Sequence, residues 1–217
     1  MAGIYLHIPF CKQACHYCNF HFATSLRQKE QLVQALLKEI NLQGGYLKKE
    51  PVETIYFGGG TPSLLSTSEL ESILKTIRIV HWVDSSAEIT LEVNPDDVTL
   101  DQLKAWKDAG VNRLSIGIQS FNGIDLQWMN RAHTAKQALE ALENCLRFFE
   151  NCTLDLIYGL PHMSITDWRN NVMQALQLGV PHLSCYALTV EPKTPLDKQI
   201  KLAQQVNTDP DKQAKLS

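Results

Sequence analysis

Basic residues do not dominate this chain: 20 lysines and arginines face 23 acidic residues, for a formal net charge of -3. Proteins that follow a phosphate backbone or coat an anionic bilayer carry the opposite balance, so charge gives no case for nucleic acid or a membrane surface. No apolar run reaches the ~18 residues needed to span a bilayer, and the first residues lack the basic stretch of a signal peptide. Internal repeats and low-complexity tracts are missing as well. These absences leave a cytoplasmic globular protein with no transmembrane segment as the expectation. In that compartment thiols stay reduced, so the six cysteines read as metal ligands or buried thiols before they read as disulfides. Cys145, Cys152 and Cys185 stand alone in apolar settings and are expected to be buried.

What the chain does have is regular alternation. Apolar runs of strand length are expected at about Ala2 to Ile8, Thr54 to Phe57, Ala87 to Val93, Arg113 to Ser120, Thr153 to Tyr158 and Leu183 to Thr189. Between them lie helical patterns with recognisable starts and stops. Ser66 with Glu69, Thr99 with Gln102 and Thr134 with Gln137 have capping-box spacing, and Gly44-Gly45 and Gly110 follow apolar periodic stretches. A helix is also expected from Ser164 to Leu178. Strand and helix in strict alternation predict a parallel sheet covered by helices, joined by right-handed crossovers.

The strand faces choose between the parallel architectures. Glu88, Thr90, Glu92 and Asn94 share one face of the third strand, opposite Ile89, Leu91 and Val93. Arg113, Ser115, Gly117 and Gln119 likewise oppose Leu114, Ile116 and Ile118. A sheet with helices on both sides needs both faces apolar; one polar face suits a barrel lumen. The fold class predicted is therefore α/β, a partial (β/α)6 TIM-type barrel over residues 1–190. Residues 191–217, rich in Pro, Lys and Gln, read as a connection toward a missing sixth helix and a further C-terminal domain.

Three of the six cysteines fall within eight residues, as Cys11-x3-Cys15-x2-Cys18, in the loop after the first strand. Three thiolates leave one coordination position of a soft metal centre without a cysteine. An iron–sulfur cluster, a zinc site completed by His7, His16 or His21, and unligated thiols all remain open on chemistry alone. Gly58-Gly59-Gly60-Thr61-Pro62 ends the second strand with backbone amides free for a ligand, or forms only a tight turn. It lacks the Lys-Ser/Thr of a phosphate-binding loop and is no dinucleotide fingerprint. Glu92, Gln119 and Asp155 lie near strand ends, with Arg131 in the loop beyond the fourth. A barrel places its active site at those ends, although a structural network with Arg113 pairing Glu92 or Asp155 would account for the same charges.

The cysteine spacing on the loop after the first strand of a βα barrel resembles the signature of the radical S-adenosylmethionine superfamily, with Tyr17 matching the aromatic before its third cysteine. Tyr5-Leu6-His7-Ile8-Pro9-Phe10-Cys11, Phe57-Gly58-Gly59-Gly60-Thr61-Pro62, Leu114-Ser115-Ile116-Gly117-Ile118-Gln119-Ser120-Phe121 and Asp155-Leu156-Ile157-Tyr158-Gly159-Leu160-Pro161 narrow this. In order on successive strands, they resemble the oxygen-independent coproporphyrinogen III oxidase family with its haem chaperone relatives. The resemblance implies a [4Fe–4S] cluster on Cys11, Cys15 and Cys18, with its fourth iron binding S-adenosylmethionine. It implies Tyr5, Gly59 and Glu92 as contacts to that cofactor. Tyr17, Gly60, Thr61, Gln119, Arg131, Asp155 and Ala187 would line a second S-adenosylmethionine site.

Three features depart from the family pattern. Thr61 replaces an acidic residue after the glycines, and the oxidase's N-terminal extension is missing. Phe20 stands where the oxidase has a further cysteine. The last two point to the haem chaperone branch, with haem, haem-acceptor proteins and an electron donor as implied partners. The alternatives are the decarboxylating oxidase and a metal-stabilised binding module without radical chemistry.

Overall fold

The structure, a computed structural model, describes residues 2–216. Six strands follow the expected order: β1 (Ala2–Ile8), β2 (Val52–Gly59), β3 (Val83–Val93), β4 (Arg113–Gln119), β5 (Asn151–Tyr158) and β6 (His182–Ala187). Each pairs in parallel with the next, so one sheet runs in the order β1-β2-β3-β4-β5-β6. The crossovers carry helices α1 (Lys29–Leu42), α2 (Thr67–Val80) and α3 (Leu100–Ala109), then α4 (Gly123–Trp128), α5 (Ala135–Phe148) and α6 (Ile165–Gln177). Two short helices, α7 (Pro195–Lys201) and α8 (Pro210–Leu216), follow β6. Among the described residues no helix is long and apolar enough to cross a membrane.

Local chemistry starts the helices where the spacing predicts. The Ser66 side chain accepts from the Glu69 N–H while the Glu69 carboxylate accepts from the Ser66 N–H, and Thr134 and Gln137 repeat the exchange at α5. Each pair satisfies two amides that a helix start leaves without partners. The outer sheet face supplies Ile55, Phe57, Ile89, Leu91, Leu114, Ile116, Leu154 and Leu156 to one core, packed against Ile73, Ile77, Leu103, Trp106 and Leu142 of the helices.

The inner face is polar, as the alternation requires, and it has two levels. Toward the N-terminal ends of the strands, Arg113 donates to the hydroxyls of Thr90 and Thr153, both buried, and lies 3.9 Å from Glu88. That guanidinium plugs the floor of the lumen. It makes no hydrogen bond or ion pair with Glu92 or Asp155, which sit one level higher and leave that reading of the network unsupported.

Two expectations are revised. Cys185 is exposed where burial was expected, because it points from the outer face of an edge strand. Within the stretch expected to be a plain connection, the described residues 191–216 form α7 and α8, which fold back onto the C-terminal rim. Leu196 joins Leu126, Met129, Leu160 and Met163 in a second apolar cluster, and Gln213 donates to the Leu188 carbonyl. Helix α4 was not anticipated at all.

Candidate metal centre

Most functional candidates reach the rim at or just beyond the end of a strand. After β1, Pro9 and Phe10 turn the chain: Ala23 N–H donates to the Pro9 carbonyl and Cys11 N–H to the Ala23 carbonyl, at 2.8 and 3.0 Å. Phe10 is buried and anchors the base of the loop. Cys11, Cys15 and Cys18 are each half-buried. Burial pushes the Cys11 and Cys18 thiols up, against the Thr61 hydrogen bond at Cys11 and the Phe20 backbone bond at Cys18.

The loop is held from outside along its length. Lys12 forms ion pairs with Asp96 and Asp97. Gln13 donates to the Asn130 side chain at 2.7 Å, and Asn130 donates to the Ala14 carbonyl at 2.8 Å. His16 bonds the Trp128 carbonyl at 3.0 Å. His7 bonds Tyr5 Oη at 3.1 Å and the His21 carbonyl at 3.2 Å. His7 and His16 are thus engaged away from the thiols. Among the described residues no three His, Cys, Asp or Glu side chains converge on a single ion. Three thiolates on one loop suit a multi-iron cluster, with one iron bonded to each.

The glycines after β2 are needed for space. Gly59 has φ of 112°, and a Cβ there would lie 2.5 Å from His7 Nδ1; one on Gly60 would lie 2.7 Å from the Phe10 carbonyl oxygen. Gly59 N–H donates to Glu92 Oε2 at 3.1 Å, and the Tyr56 hydroxyl donates to Glu92 Oε1 at 2.8 Å. Burial still raises the Glu92 carboxyl above its ordinary value. Burial first, then the Glu92 charge, pushes Asp155 up to about 7, although Ser184 bonds it.

A cavity of about 610 Å³ joins these parts, within the usual range for a small-molecule site. It is lined by the three cysteines and by Tyr17, Gly59, Gly60, Thr61, Glu92, Gln119, Arg131, Asp155 and Ala187. Of the candidates named from sequence, Tyr5 alone is outside this lining. It is 58% exposed and stacks on Tyr56 with ring centroids 6.0 Å apart, one residue behind Glu92. Sequence reasoning did not single out Asn94, Tyr56 or Ser115. Asn94 donates to Thr61 Oγ1 at 3.1 Å and accepts from Arg131 at 2.8 Å, and its place on the polar face of β3 was the available signal. Gln119, buried with φ of 68°, sits at a register break between β4 and β5.

The donor set fits a cluster with an attached cationic ligand. Glu92, Asp155 and Glu191 line the cavity against one cation, Arg131, whose buried Nε has no partner.

Fold and site define an open parallel α/β barrel with a cysteine tripod at its C-terminal rim. The profile of the Radical SAM superfamily matches residues 5–174, and the chain belongs to that superfamily. It is 40% identical over 206 residues to a protein named haem chaperone HemW from Synechocystis, covering 89% of this chain and 48% of that protein. The identity to haem chaperone HemW of Escherichia coli is 40% over 198 residues, covering 88% and 52%. Among solved structures, coproporphyrinogen III oxidase (HemN) of Escherichia coli, described as a radical SAM enzyme, superimposes with a TM-score of 0.88 at 28% identity, covering 99% of this chain and 50% of the oxidase. The chain spans about half the length of the curated relatives it matches.

Proposed function

We propose that this chain is the barrel portion of a haem chaperone, with a [4Fe–4S] cluster on Cys11, Cys15 and Cys18 and S-adenosylmethionine in the adjoining cavity. The observation that carries the reading is the tripod itself: three thiols on one clamped loop, opening onto a cavity lined by carboxylates. When bound, such a cluster supplies single electrons to the ligand on its open iron.

The chain's own residues orient that ligand. Glu92, fixed by Tyr56 and Gly59, offers a carboxylate to an ammonium group, and Tyr5 holds Tyr56 from behind. The positive φ of Gly59 and the bare Cα of Gly60 let the backbone approach. Tyr17, Thr61, Gln119 and Ala187 close the walls where the resemblance implies a second S-adenosylmethionine. Asp155 adds a second carboxylate for the sulfonium charge. Haem, its acceptor proteins and an electron donor are the partners of this reading, in the cytoplasm.

Identity to proteins named haem chaperones supports the branch, as does Phe20, 67% exposed where the oxidase carries a cysteine. The oxidase is the second reading, favoured by the likeness to the Escherichia coli enzyme.

Anaerobic reconstitution of the full-length protein tests both. About four irons per chain are expected for this cluster type, together with haemin binding in a micromolar titration and no carbon dioxide from coproporphyrinogen III. Carbon dioxide release would select the oxidase. Stoichiometric zinc without iron would select a metal-stabilised binding module.

A further inference from the structure

Near Cys11 the Thr61 hydroxyl, and near Cys18 the Phe20 backbone N–H, oppose the upward push of burial on the thiol, and both groups are neutral. Cys15 has Arg131: Nη1 donates to its Sγ at 3.3 Å. This donor alone carries a full charge, and its environment fixes it in place.

The remaining contacts of Arg131 are to protein acceptors. Nη1 also reaches Tyr17 Oη at 3.5 Å, and Nη2 donates to Asn94 Oδ1 at 2.8 Å and to the Gly117 carbonyl at 2.9 Å. Asn94 is oriented in turn by Thr61. Gly117 leaves room for the guanidinium, since a Cβ there would lie 3.3 Å from Nη2. The preceding residue, Asn130, has φ of 57° and grips Gln13 and Ala14. The Asn130-Arg131 corner therefore holds three consecutive residues of the loop.

A hydrogen bond to a ligating sulfur, with a buried cation beside it, favours the state with one more electron, which raises the reduction potential of an iron–sulfur cluster. We infer that Arg131 is a positioning residue for the cluster, fixing the Cys15 side chain and raising the cluster's reduction potential through its Nη1–H to Sγ bond. This rests on the cluster assignment proposed above. It adds to the role implied by resemblance, a wall of a second S-adenosylmethionine site: Nη1 and Nη2 engage protein atoms, while the buried Nε has no partner among the described residues.

The test is an EPR-monitored redox titration of the reconstituted protein, with iron content measured on each sample. Arg131→Met should shift the midpoint to lower potential. Arg131→Lys, which keeps charge but not the planar fork, and Arg131→Gln, which keeps donors but not charge, should fall between it and wild type. Asn130→Gly keeps the left-handed backbone and removes only the loop clamp, so its midpoint should stay near wild type.

Equal midpoints for Arg131→Met and wild type at equal iron content would overturn the inference, as would an Asn130→Gly shift as large as that of Arg131→Met. If Arg131→Met holds no cluster, the Lys and Gln variants decide. If none of the three holds one, Arg131 governs assembly and the inference fails. A wild-type protein that binds no iron would instead overturn the proposed function, which keeps the two failures apart.

Discussion

Asp155 shows what burial does to a carboxyl that has no cation directly paired with it. Desolvation and the nearby Glu92 charge outweigh Ser184, Arg131 and Arg113, and the group titrates at about 7. The folded chain then holds a proton that the unfolded chain releases near the ordinary aspartate value of 3.8. That stabilisation is present below the unfolded value and is lost as pH rises through about 7. Asp155→Asn should therefore make the ligand-free protein more stable at pH 8 by on the order of a few kcal/mol, with little gain near pH 4, as read by urea denaturation. A cationic ligand needs the ionised form, so its affinity in wild type should climb as pH rises through the same range, and the Asn variant should flatten that climb. Gly60→Ala makes a different point. Its Cβ would meet backbone atoms of Ile8 and Phe10, so we expect a loss of about 1–3 kcal/mol and a fall in iron retained after reconstitution. The inward placement of Asp155 was legible in the sequence as a carboxylate inside an apolar strand, and that of Glu92 as part of the polar face of β3. The partners of Arg131 were not, since Cys15 lies 116 positions away and Asn94 lies 37.

Elements were read most reliably where their ends carry side-chain chemistry. The Ser66–Glu69 and Thr134–Gln137 exchanges mark α2 and α5, and both helices start where the sequence placed them. Glu69 also pairs with Lys29 at 2.6 Å, and Lys29 donates to the Leu64 carbonyl, so the α2 cap ties the start of α1 to the turn before α2. Ser66→Ala should cost about 1 kcal/mol, seen as a lower urea midpoint at unchanged slope. Glu69→Ala should cost more than that, because it also strands Lys29. Iron binding should survive both changes, as neither residue touches the cysteine loop. Helix α4 escaped detection for a physical reason: six residues give too few turns for a helical period to show. Its buried Asp125 is satisfied by Ser120 and by His162 at 2.6 and 2.9 Å, contacts that no local pattern announces. Strand β3 starts four residues before its expected position because Val83 pairs with Val52, again a partner distant in sequence.

At the scale of the molecule, the alternation of strand and helix and the polar inner face were enough to specify an open parallel barrel, because both follow from periodicity. The filling of its floor by Arg113 and the return of α7 and α8 to the rim depend on contacts across the fold and had no such signature. A ligand that binds only this folded rim must stabilise the whole molecule. At a concentration a hundredfold above its Kd, S-adenosylmethionine should add about 2.7 kcal/mol, read as a rise in Tm of the reconstituted protein that disappears when a chelator strips the iron. The grip on the cysteine loop also sets an order of events in time. The three thiols are synthesised near the start of the chain, whereas Trp128, Asn130 and Arg131, and Leu196, whose N–H donates to the His16 carbonyl, are made far later. At about 5–20 residues per second, the nascent thiols emerge many seconds before the corner that disciplines them. Iron delivered in that interval would meet a loose tripod, so productive loading belongs after translation has passed the α7 segment.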